Sequence, residues 1–74
     1  MIKKTVEISI STDFVTLGQM LKIADLISSG GEAKSFLASH VILVDGLSDN
    51  RRGRKLRDSM VVEIDQVSYR IVKK

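Results

Sequence analysis

Ile2, Val6, Ile8 and Ile10 fall on alternate positions, with Lys, Thr, Glu and Ser between or opposite them. That is the period of a strand with one face turned to a core. The period then changes. Leu17, Met20, Leu21 and Ala24 follow the i, i+3, i+4, i+7 spacing of one helical face. The T-L-G-Q that opens the segment predicts a capping box, with Thr16 at the cap and Gln19 reaching back to it. Gly18, in the first turn, either weakens this helix by up to about 1 kcal/mol relative to alanine or admits a close backbone approach. The helix is expected to end near Ile27. Ser29-Gly30-Gly31-Glu32 repeats the capping logic, with the Ser29 side chain accepting at a second helix start and Glu32 suited to its first turn. Ala33, Phe36 and Leu37 supply that helix with an apolar face, and His40 falls at its end, where an imidazole meets the free carbonyls.

Beyond His40 the pattern shortens. Val41–Val44 reads as a brief apolar strand, Asp45-Gly46 as a two-residue hairpin turn, and Leu47 as the start of a short return strand. A polar, cationic loop follows, in which Leu56 is the one apolar residue able to pin it to the body. Met60–Ile64 and Val67–Val72 then form a terminal hairpin about Asp65-Gln66. One strand, two helices and several short strands make an α+β fold, a two-helix layer on a small, mostly antiparallel sheet, rather than a parallel α/β one. The expected core is Leu17, Leu21, Ala24, Phe36, Leu37, Val44, Leu56, Val62 and Ile64.

Size and composition narrow the chemistry. The 74 residues read as a single domain, 1–74, near the lower limit for folding without staples, since chains this short bury only about 60% of their unfolded surface. Cysteine is absent and there is a single histidine, so neither disulfides nor a zinc set is expected, and no cofactor is implied. No apolar run reaches the roughly 18 residues of a membrane span. The start of the chain lacks the apolar centre of a signal peptide, so a cytoplasmic, monomeric protein is expected.

Net charge is only +3, yet five of the seven residues from Arg51 to Arg57 are basic: Arg51, Arg52, Arg54, Lys55 and Arg57. Like charges crowded in this way repel unless an anion compensates them, and the guanidinium fork matches phosphate oxygens. Asp45, Asp49 and Asp58 lie near enough in sequence to neutralise part of the cluster. Gly30-Gly31 has two readings: a helix start between packed helices, or backbone N–H groups offered to a phosphate. No G-K-[ST] ending follows, so it is not a nucleotide-binding loop. Lys34 lies one turn inside the second helix, where the dipole does not favour a cation. Lys3, Lys4, Arg70, Lys73 and Lys74 either extend the basic surface or keep edge strands soluble. Asp25 with Glu32, or Glu63 with Asp65, could be posed as acid/base pairs, but a core this small leaves little room for a pocket, and no catalytic site is expected. With only Phe14, Phe36 and Tyr69 as aromatics, a stacking platform for single-stranded RNA is disfavoured against recognition of phosphates and helical shape.

The run S-S-G-G-E-A-K-S-F-L from Ser28, V-I-L-V-D-G from Val41 and R-R-G-R-K-L-R from Arg51, behind T-L-G-Q-M-L-K from Thr16, resembles the S-four domain. This is the RNA-binding domain named after ribosomal small-subunit protein four, and the chain is most similar to its stand-alone YaaA-like bacterial members. The resemblance spans about residues 16–64. One departure is a Ser59-Met60 pair where the family usually carries Gly-Asp, which removes the residue best suited to a positive φ. The resemblance implies a non-catalytic protein that binds structured RNA (rRNA or tRNA), with possible ribosome association and without the catalytic companion domain of larger relatives. The residues it points to are Ser28, Ser29, Gly30, Gly31 and Lys34 at the second helix, and Arg51, Arg52, Arg54 and Lys55 in the loop, with Arg57 completing the cluster. The alternative is a small adaptor that offers the same basic surface to an acidic protein partner.

Overall fold

In the computed structural model, which describes residues 2–74, the alternating segment forms β1 (Lys4–Ile10), with Ile8 and Ile10 buried and Val6 packed at the core's edge. Ile2 lies before the strand and is exposed. The chain continues through β2 (Val15–Thr16), α1 (Leu17–Ile23), a 3-10 turn at Gly30–Glu32 and α2 (Ala33–Ser39). Five short strands complete it: β3 (Ile42–Val44), β4 (Leu47–Ser48), β5 (Lys55–Leu56), β6 (Val61–Ile64) and β7 (Val67–Lys73).

The main sheet runs β1-β7-β6-β3-β4. All its pairings are antiparallel except β1 with β7, which run parallel in a seven-residue register from Lys4↔Val67 to Ile10↔Lys73. The pairs Ile8↔Ile71, Val62↔Tyr69 and Ile42↔Ile64 put buried side chains opposite one another on the face that meets the helices. A second, two-stranded sheet joins β2 to β5 through Val15↔Leu56 and Thr16↔Lys55. This is the α+β architecture expected from the pattern. Every residue of the expected core belongs to the one hydrophobic cluster, with Ala24 and Phe36 only partly buried at its edge.

α1 begins as expected. The Gln19 N–H donates to Thr16 Oγ1 (3.2 Å) and the Thr16 N–H donates to Gln19 Oε1 (2.9 Å), which completes the capping box. It ends earlier than expected, at Ile23 instead of near Ile27. Asp25 takes φ +62°, the Asp25 N–H donates to Lys22 O and the Leu26 N–H donates to Leu21 O. This is the paired bonding of a Schellman stop, with aspartate where glycine is usual. Ile27 still reaches the core, but from irregular chain.

α2 also differs at its start. The Ser29 side chain makes no capping bond, and it is the Ser29 carbonyl that accepts, from the Glu32 N–H at 3.1 Å. The two glycines turn the chain through a 3-10 step, so the α-helix proper begins only at Ala33. At its other end His40 Nδ1 lies 2.9 Å from Phe36 O, and its ring stacks on Phe36 with centroids 3.9 Å apart. His40 therefore closes the helix, as its position suggested. The hairpins turn at Asp45-Gly46 and Asp65-Gln66 with both residues of each pair at positive φ, the turn that suits the twist of paired strands. Ser59 is held at φ +74°, a conformation that glycine adopts most easily.

Candidate nucleic-acid interface

The basic loop is anchored at one end by Asp49. The Asp49 N–H donates to Ile42 O at 3.0 Å, which ties this residue to β3. Its carboxylate accepts from the Arg51 backbone N–H (2.9 Å) and from Arg51 Nη2 (2.9 Å), and lies 3.6 Å from Arg54 Nη1. Hydrogen bonds from the Arg51 side chain and backbone hold the Asp49 carboxyl well below the usual range, at about 2. Asp49 is therefore the neutralising carboxylate of the cluster. Asp45 and Asp58 are used elsewhere, each accepting a backbone N–H, from Val61 and Lys73 respectively.

The loop is also held by the backbone of α1. Leu17 and Gly18 have N–H groups with no partner inside their own helix. The first donates to Arg54 O at 2.8 Å and the second to Arg52 O at 3.0 Å. With Gln19 capped by Thr16, the first three N–H groups of α1 are all taken by the protein. Gly18 is what allows this approach, since a Cβ there would lie 2.7 Å from Arg52 Cγ. Of the two readings open for Gly18, close approach is the one the fold uses. At the far end Leu56 is fully buried and pairs with Val15, so the loop is pinned at Asp49, at α1 and at Leu56.

These anchors fan the five cations outward. Arg51 and Arg54 gather on Asp49, the stem of Arg52 lies against Gly18 at the start of α1, and Lys55 and Arg57 lie over Phe14, 4.9 and 5.4 Å from its ring centroid. Arg54 is half-buried and the other four are exposed. Across a shallow groove from Arg52 and Gly53 lies Gly30, with Thr16, Gly18, Gln19 and Ala33 between them. The start of α2 and the basic loop, more than twenty residues apart in sequence, thus share one concave surface. Ser28, Ser29, Gly31 and Lys34 are exposed but do not line this groove, and Gly31 lines a separate depression with Phe36 and His40. Neither Gly30 nor Gly31 has a positive φ or a crowded Cβ position, so the fold itself does not require glycine at either.

Two contributors were not visible as such in the sequence. Asp49 stood out only as one of three nearby carboxylates, and its selection depends on the bend that returns Arg51 and Arg54 to it. Phe14 carried no signal at all, because only the pairing of β2 with β5 brings it beneath Lys55 and Arg57.

Two helices on a mixed sheet, with a cationic loop locked against the capped first helix, is the arrangement of one class of small domain. The chain matches the S4 domain over residues 8–72 and belongs to that family. The match takes in part of β1 and nearly all of β7, beyond the stretch that carries the motifs. The chain is also 60% identical over 58 residues to the probable ribosome maturation protein RlbA of Bacillus subtilis (strain 168), an alignment that covers 78% of this chain and 82% of that protein.

Proposed function

We propose that this protein binds structured RNA, without catalysis, in a ribosome-related role, by engaging phosphates with Arg51, Arg52, Arg54, Lys55 and Arg57. Ser28, Ser29, Gly30, Gly31 and Lys34 complete the surface on the side of α2. Membership of the S4 domain family and the likeness to a ribosome maturation protein support the reading. The observation that carries it is the rigid seating of the loop. Arg51 and Arg54 share the Asp49 carboxylate, while Arg52, Lys55 and Arg57 make no ion pair among the described residues, so positive charge is concentrated on a loop whose backbone is fixed to α1. A phosphate backbone supplies the missing negative charge at the spacing of a folded RNA helix. Glycine at positions 30 and 31, where packing does not demand it, leaves room for the RNA to approach α2 closely.

The test is the salt dependence of binding to an RNA hairpin. Engagement of about four or five phosphates gives log K a slope of about −3 to −4 against log salt. Replacing Arg52 and Arg54 by Ala reduces the slope by about 1 to 2 and weakens binding alike across RNA sequences. Melting temperature changes little, because Leu17 and Gly18 bond to the loop's carbonyls rather than to its side chains. Gly31→Glu, whose Cβ meets only the Ser29 hydroxyl at 3.9 Å, an ordinary contact, weakens RNA binding without unfolding. An unchanged slope in the double variant, together with a protein partner retained after RNase treatment, would replace this reading with that of an adaptor for an acidic protein.

A further inference from the structure

Beside the basic loop lies a second concavity, none of whose lining residues is among the phosphate contacts. Its floor is apolar: Phe14, Val15 and Ile23, the last of these half-exposed in the final turn of α1. Lys22 lines it, and Lys55 and Arg57 reach its edge through the Phe14 ring, over which both lie. Asp13 is the one acidic residue in the lining, and Lys73 Nζ lies 2.7 Å from its carboxylate, so its charge is already compensated. The Lys73 hydrogen bond, followed by the charge of Lys73, keeps that carboxyl below its ordinary pKa and thus ionised and paired. Gln19 also lines the groove, with Oε1 committed to the Thr16 N–H, which leaves its Nε2 donors as the unused part of the amide.

An apolar floor ringed by cations suits a flat, weakly polar group carried on an anionic backbone. The geometry points to this groove as the seat of one unpaired nucleobase of the bound RNA, packed against Phe14 and Ile23 while its flanking phosphate meets Lys55 and Arg57. The inference rests on the RNA-binding reading above and extends it: the loop grips helical phosphates, and the groove selects RNA with a base outside the stack. Unpaired bases offer faces and edges that a helix conceals, and side chains that pack on them confer preference where phosphate contacts cannot. A wholly apolar peptide would leave the cationic rim unpaired, whereas a nucleotide satisfies floor and rim together.

The experiment uses two RNA hairpins of equal length, one fully paired in its stem and one with a single bulged 2-aminopurine in the stem. The protein is expected to bind the bulged hairpin about 5- to 150-fold more tightly, the range that base packing on side chains provides, and the 2-aminopurine emission changes on binding. Ile23→Gln, which keeps a good helix former at an exposed site, abolishes the preference and the emission change while leaving affinity for the paired hairpin unaltered. Phe14→Ala also abolishes both. Equal affinity of the parent protein for the two hairpins, with binding to each intact, overturns the base site and leaves the phosphate reading standing. Failure to bind either hairpin overturns the RNA reading itself. Displacement of the bulged hairpin by a glutamate-rich peptide containing one phenylalanine, with no preference between the hairpins, assigns the groove to an acidic protein segment and overturns the nucleobase.

Discussion

Leu37 and Ser29 mark opposite ends of what a single side chain contributes here. Leu37 is almost completely buried in the shared cluster, and its truncation leaves a cavity that a core this small has few ways to refill. Leu37→Ala is expected to cost about 2–5 kcal/mol, enough to unfold much of a marginally stable domain. Ser29 looks like a helix cap in sequence, yet its hydroxyl caps nothing and the carbonyl takes that place. Ser29→Ala is therefore expected to change stability by less than about 0.5 kcal/mol, against the roughly 0.5–2 kcal/mol of a true cap. Thermal or urea melts of the two variants check both values. The contrast also shows where reading residues in order succeeds. Thr16 with Gln19 is a local device whose geometry depends on the two residues between them, so the motif is enough to find it. Ser29 precedes a 3-10 turn over Gly30–Glu32, in which its carbonyl and not its hydroxyl accepts the Glu32 N–H. Residue identity was legible there, but the backbone path was not.

For whole elements, the short loop between β4 and β5 shows what a one-dimensional pattern omits. Its charge was plain, as was the place of Leu56 as its anchor. The partner that holds it, the N-terminus of α1, is more than thirty residues away in sequence and bonds through carbonyls that every residue carries. No side-chain pattern encodes such a contact, apart from the glycine at position 18 that makes room for it. Asp49 organises the same element and gives a test with two readouts. Asp49→Asn keeps an oxygen for the Arg51 N–H but removes one negative charge from beneath the cluster. RNA affinity is expected to rise at low salt, and the salt slope to steepen by up to about 1. The pH dependence changes as well. The native carboxyl titrates at about 2 in the fold, below its ordinary 3.8, so its stabilising contribution is complete above about pH 4 and is lost as pH falls towards 2. Melting temperatures measured between pH 5 and 2 should therefore fall more steeply in the native protein than in Asp49→Asn. The last element escaped the sequence in a different way. β1 was recognisable as a strand, but its parallel alignment with β7 joins the two extremities of the chain, and alternation alone does not specify a strand's neighbour.

At the scale of the whole molecule that pairing governs the order of assembly. The hairpins of β3 with β4 and β6 with β7 close over two-residue turns, whereas β1 reaches β7 only after the rest of the chain has been laid down between them. Contacts of such long separation must overcome loop-closure entropy before they contribute. Ile8→Val, a cavity of one methylene at the β1 interface, is expected to lower stability by about 0.5–1.5 kcal/mol and to act chiefly by raising the unfolding rate. A chevron plot checks this: the folding limb should stay close to that of the parent while the unfolding limb shifts upward. The same pairing has a mechanical side. Because β1 and β7 run parallel, Lys4 begins one strand beside the start of the other, and Lys73 ends the second beside Ile10. Tension applied through the first and last strands therefore pulls them in opposite directions along their shared length. The inter-strand bonds are loaded together, in shear, instead of peeling one at a time from an end. A domain whose antiparallel hairpins would unzip bond by bond is thus fastened, along the line between its first and last strands, by its most force-resistant seam.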